Sequence, residues 1–236
     1  MPTVKTMQVS FILDETGSME TVRDATISGF NEYIKTLKKE KNAKSIRFTL
    51  TQFDSTHVTV LYDGVTLDKV EDRNYDNYKP GAMTPLYDAV ARTIKALEGK
   101  VKGKKQSALV IIQTDGEENS SREYTHADVF KMIDEKKKLG WTFVFLGANQ
   151  DRYIASQQFG IPIGNTMNYR YNQTQSAFAN TARGTSNYVS GTGMSVGAQT
   201  NTFYDDQSFN VLPTDPKNLA IINPKPKKSK LKAKAK

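Results

Sequence analysis

The sequence predicts a doubly wound α/β fold, with a mostly parallel central sheet of about six strands, one antiparallel edge strand and helices on both faces. Three observations carry this. Met7–Leu13, Ala108–Thr114 and Trp141–Leu146 are near-continuous apolar runs of strand length, the pattern of strands covered on both faces. Longer stretches between them repeat apolar residues at helical spacing. The two kinds of segment alternate, and alternation implies crossover connections within a parallel sheet.

The elements follow in order. Met7–Leu13 is the first strand. Ile27, Phe30, Ile34 and Leu37 form one apolar stripe and predict a helix within 19–41. Ile46–Phe53 begins by alternating at Ile46, Phe48 and Leu50, and Val58–Tyr62 reads as a shorter partner strand joined by a tight turn at Asp54–His57. That pair supplies the antiparallel edge. Leu86, Val90 and Leu97 predict a helix over 85–98, stopped at Gly99. Val129, Met132 and Ile133 predict another over 125–139, with Gly140 as its C-terminal cap. A short helix is expected over 151–159.

Composition changes near residue 164. This predicts a main domain over 1–164 and a polar extension over 165–210, with a helix at 173–189 and loop beyond it. Residues 211–224 hold three prolines and read as a linker. Residues 225–236 hold seven lysines and no acid, and such a stretch cannot bury a core. Of the net charge of +8, all but +1 belongs to this tail. A solvated tail is the ordinary reading. A loose nucleic-acid or anionic-surface contact is the second, without base stacking, because no aromatics interleave the lysines.

The bulk numbers exclude several classes. The length of 236 residues suits one α/β domain. With no cysteine, disulfides, thiolate catalysis and cysteine-ligated zinc are ruled out. The apolar N-terminal stretch is short and ends at Asp14, which does not suit a signal peptide. No run approaches a membrane span. The expectation is a cytoplasmic protein.

Three short segments carry the chemistry. Asp14-Glu15-Thr16-Gly17-Ser18 follows the first strand, Met83-Thr84-Pro85 precedes a helix, and Thr114-Asp115-Gly116-Glu117 ends a strand. Alone, each reads as a turn or a helix cap. In a doubly wound sheet, however, loops at the carboxyl ends of the strands converge in one crevice. Asp14, Thr16, Ser18, Thr84 and Asp115 would then surround one point with two carboxylates and three hydroxyls. Hard cations such as Mg²⁺ take an all-oxygen set of this kind. Two acids quench the ionic charge only in part, which leaves a position for an outside carboxylate.

These residues resemble the metal-ion-dependent adhesion site of the von Willebrand factor A (vWA) domain, which reads Asp-x-Ser-x-Ser, a distant Thr and a distant Asp. The resemblance spans roughly residues 5–164. TDGEENSSREYT and GWTFVFLGAN are similar to small stand-alone intracellular members from bacteria and phages. It departs at Thr16, where Ser is usual; the hydroxyl is kept, but the added methyl bears on metal preference. The resemblance implies direct metal contacts from Thr16 and Ser18, and from Thr84 once a ligand is engaged. Asp14 and Asp115 would act directly or through water. Mg²⁺ is the implied ion, with Mn²⁺ or Ca²⁺ as alternatives. The implied partner is a protein offering an Asp or Glu carboxylate, with Glu15, Met19, Met83 and Glu117 on the selective rim.

Competing readings are weaker. A haloacid-dehalogenase-type phosphatase needs an acid where Thr16 stands. Gly193–Gly197 matches a nucleophile elbow, but both histidines, His57 and His126, precede it and the catalytic one must follow. Gly99–Lys105 lacks phosphate-loop spacing. Neither His has metal-ligand neighbours in sequence. The domain is read as a binding module rather than an enzyme. The alternatives are an adaptor or regulatory subunit of a ring ATPase or metal-insertion complex, and a metal-dependent hydrolase using Glu117 or Glu118 as base.

Overall fold

The computed structural model describes residues 6–101, 108–150, 152–191 and 200–204. The linker at 211–224, the lysine tail at 225–236 and the Gly193–Gly197 match lie outside the described residues. Six strands form one sheet in the order β3-β2-β1-β4-β5-β6. β1 (Met7–Asp14) is buried along its whole length because it lies inside the sheet with helices on both faces. It pairs in parallel with β2 (Ile46–Asp54) on one side and β4 (Ala108–Thr114) on the other. β5 (Thr142–Ala148) and β6 (Thr166–Tyr169) continue the parallel run. β3 (His57–Val65) is the antiparallel edge. It runs past Tyr62 because a register shift between Phe48 and Thr51 lets the hairpin continue to a Phe48–Val65 pair.

Strand alternation sorts the core into two layers. Val9, Phe11, Leu13, Ile111, Val144 and Leu146 face α1 (Arg23–Lys38) and α5 (Thr174–Ser190). Ile12, Val110, Ile112, Phe143 and Phe145 face α2 (Leu86–Glu98), α3 (His126–Lys138) and α4 (Arg152–Phe159). Each such side chain contributes about 1.5–3 kcal/mol on leaving water, so the central strands anchor both layers. α3 shows how its ends are set. Thr125 and Asp128 form a capping box at the start. At the end, Gly140 at φ 91° donates to Lys137 O, and Trp141 N donates to Lys136 O, closing the helix as the glycine predicts.

Sheet and core do not stop at residue 164. β6 and α5 lie beyond that boundary, and Phe203 and Tyr204, expected in loop, are buried. Composition misleads here because the polar residues are satisfied internally. Thr181 and Thr185 hydroxyls donate to Ala177 O and Thr181 O one turn back. Thr185 also meets the Tyr33 hydroxyl at 3.2 Å. The buried Asn165 amide donates to Phe143 O and Thr200 O and accepts from Phe203 N. Hydrogen-bonded threonine and asparagine can enter a core that unpaired ones cannot. α5 also approaches α1 closely. Gly29 has no Cβ where one would stand 2.7 Å from the Phe178 ring.

Candidate metal centre

The chain reverses its direction of travel across the sheet between β1 and β4, and the carboxyl ends of these adjacent strands open into the crevice between them. The β1–β4 register runs through Leu13–Gln113, which brings the next residues, Asp14 and Thr114, side by side. The Thr114 hydroxyl donates to Asp14 Oδ2 at 2.5 Å. Thr16 N donates to Asp14 Oδ1 at 2.7 Å. The Tyr78 hydroxyl holds the Asp14 carbonyl at 2.6 Å. Asp14 is fully buried. Burial pushes its carboxyl up to about 7, against the pull of the Thr114 and Thr16 hydrogen bonds; the Asp115 charge adds to the rise.

The other oxygens gather beside it. Ser18 Oγ donates to Asp115 Oδ1 at 2.5 Å and lies 3.3 Å from Thr16 Oγ1. Thr84 enters from the loop before α2. Its N–H donates to the Asn119 side chain and its carbonyl accepts from Asn119 N. Ala82 in the same loop is held left-handed at φ 57°, which costs about 1–2 kcal/mol; its carbonyl accepts from Gly17 N. Gly116 floors the site. A Cβ there would stand 2.9 Å from Thr84 Oγ1 and 3.7 Å from Ser18 Oγ, so glycine keeps this hollow between hydroxyls open.

Among the described residues, no cluster of three or more His, Cys, Asp or Glu could hold a metal. The hollow instead offers two carboxylates and hydroxyls, a donor set that suits a hard cation and not zinc or copper. Ser18 donates its hydroxyl hydrogen bond to Asp115 and keeps lone pairs for another ligand. On donor chemistry and on the space kept at Gly116, the residues fit a divalent ion.

No family profile matches the sequence, and no curated protein matches it. Solved structures do. The von Willebrand factor domain of the type V pili tip protein Mfa5 from Porphyromonas gingivalis matches with a TM-score of 0.58 at 11% identity, over 76% of this chain and 95% of that one. The chain has a vWA-type fold. The pilus adhesin SpaC from Lactobacillus rhamnosus GG, in its open conformation, matches at 0.57 and 12% identity over 78% of this chain. Proximal thread matrix protein 1 from the mussel byssus matches at 0.56 and 12% over 74%. The chain spans 30% and 46% of those two proteins. At such identities the likeness is one of fold.

Within this vWA-type fold, Asp14 ends β1, Thr16 and Ser18 lie in the turn that follows it, Thr84 lies in the loop before α2, and Asp115 directly follows β4. Two of the four rim candidates do not lie on a rim. Glu15 is 4% exposed: Oε2 accepts from Gln52 Nε2 at 2.6 Å and faces His57 Nε2 at 3.2 Å, and Oε1 accepts from Lys79 N. It ties the 78–81 loop to the β2–β3 hairpin. Met19 is 0% exposed, its sulfur accepting from Gln113; the 3₁₀ turn Gly17–Val22 turns it inward. Met83, 52% exposed, and Glu117 do reach the surface. His57 bridges Glu15 and Asp54, and His126 contacts Gln158 O.

Two residues at the site escaped the sequence reading. Thr114 directly precedes Asp115, but only strand register aims it at Asp14. Tyr171 lies in the stretch that composition set apart, and its hydroxyl donates to Asp115 Oδ2 at 3.0 Å. No helix among the described residues is long and apolar enough to cross a membrane.

Proposed function

We propose that the chain is a metal-dependent protein-binding module. Asp14, Thr16, Ser18, Thr84 and Asp115 would hold a divalent cation, Mg²⁺ first and Mn²⁺ or Ca²⁺ as alternatives. A carboxylate from a partner protein would complete the site. The observation that carries this reading is the oxygen-lined hollow over Gly116, with Ser18 hydrogen-bonded to Asp115 and Thr84 Oγ1 at its wall. When bound, the cation supplies positive charge that only two carboxylates partly offset, and so attracts an acidic ligand. Asp14 anchors the β1 end, Asp115 accepts the Ser18 hydrogen bond, and Met83 and Glu117 flank the opening. The adhesins of like fold lend the binding reading general support.

The test has two parts. Calorimetric titration of the full chain with Mg²⁺ and Mn²⁺ should show one site, lost in Thr84→Ala or Asp14→Asn. A partner captured from host lysate in Mg²⁺ should be lost both in EDTA and with Thr84→Ala. Capture retained in both removes the cation from the mechanism.

A further inference from the structure

Tyr171 occupies an unusual position for a residue outside the five-residue motif. It opens a 3₁₀ turn, Tyr171–Gln173, between β6 and α5. Its hydroxyl donates to Asp115 Oδ2 at 3.0 Å. One phenol thus ties the turn after β6 to the loop that follows β4. Its ring is half-buried, packed against the core layer beneath α1 and α5 on one side, and it walls an open cleft of about 470 Å³ with Glu20, Arg23, Asp24 and Tyr75 on the other.

A carboxylate has two oxygens and can rotate. Asp115 Oδ1 must face Ser18 Oγ for the serine hydroxyl to donate its hydrogen bond there and keep its lone pairs turned outward. With Oδ2 unheld, the group can swing or offer both oxygens elsewhere. A donor on Oδ2 removes that freedom, as hydrogen bonds behind metal-binding groups generally do. We propose that Tyr171 is a positioning residue for the cation site, holding Asp115 Oδ2 so that Oδ1 stays on Ser18. This rests on the cation-binding reading above. It assigns the 165–173 stretch to the site and explains how a site on the β1 and β4 loops depends on a residue past β6.

Tyr171→Phe keeps the ring and removes only the hydroxyl. Mg²⁺ and Mn²⁺ dissociation constants would be measured by calorimetry on the full chain, wild type and variant. The urea midpoint in EDTA and the Mg²⁺-minus-EDTA infrared carboxylate bands would be measured on the same samples. The expected result is roughly tenfold weaker cation binding, an unchanged urea midpoint in EDTA, and a shifted carboxylate band. Equal affinities with identical bands overturn the proposal. So does weaker binding with a matching fall in the urea midpoint and unchanged bands, because the hydroxyl would then act on the fold alone. A wild type that binds neither ion instead refutes the cation-binding reading and removes this inference with it.

Discussion

Asp14→Asn should stabilise the metal-free protein at neutral and alkaline pH while destroying cation binding. Asp14 is fully buried, and burial holds its carboxyl near 7 against an ordinary value of 3.8. Between those values the folded state keeps a proton that the unfolded chain has lost. Stability therefore falls as pH rises, by about 1.4 kcal/mol per pH unit. The term costs nothing below 3.8 and is complete above about 7. Across the whole window it amounts to about 4 kcal/mol, an upper bound because relaxation and water entry soften the cost of a buried charge. Asparagine carries no such term. Its oxygen can keep the Thr16 N–H, and its amide nitrogen can donate to Thr114 Oγ1, whose proton then turns to Gly116 O at 3.3 Å. Urea unfolding in EDTA from pH 5 to 8 tests this. Wild type should lose stability with rising pH relative to Asp14→Asn, and Mg²⁺ should restore only the wild type. Parallel pH profiles for the two proteins would refute the buried-charge argument.

Two further changes probe the frame around the site. Gly29→Ala adds a Cβ 2.7 Å from the Phe178 ring and 3.0 Å from its Cβ. That ring is stacked on Phe11 at 5.9 Å and cannot retreat. Helix propensity returns about 1 kcal/mol, but overpacking costs about 1–3 kcal/mol, so urea unfolding should show a net loss; a gain would mean the α1–α5 contact is loose. Asp88 accepts from the N–H groups of Arg122, Glu123 and Tyr124, which fixes the loop between β4 and α3. Asp88→Ala strands those donors and should lower stability by about 2–4 kcal/mol, with early amide exchange at 122–124; unchanged exchange there would show that the loop is held by other contacts.

What the sequence by itself determined was everything set by short-range periodicity and turn chemistry. Apolar runs located the central strands, helical stripes located α1 to α3, and Gly140 located a helix end. The order of Asp14, Thr16, Ser18, Thr84 and Asp115 along the chain, together with a doubly wound topology, pointed to one crevice. What only the tertiary structure decided depends on contacts between distant segments. The β1–β4 register sets Thr114 against Asp14. The short 3₁₀ turn after Thr16 buries Met19, and the hairpin and the 78–81 loop close over Glu15, so a position next to the motif did not mean a position on its rim. Threonines hydrogen-bonded within α5, and an asparagine satisfied by three backbone groups, let a polar stretch complete the sheet and carry Tyr171 to the site. Polarity in sequence measures the cost of burying a group alone. Only the folded neighbours show whether its hydrogen bonds have been met.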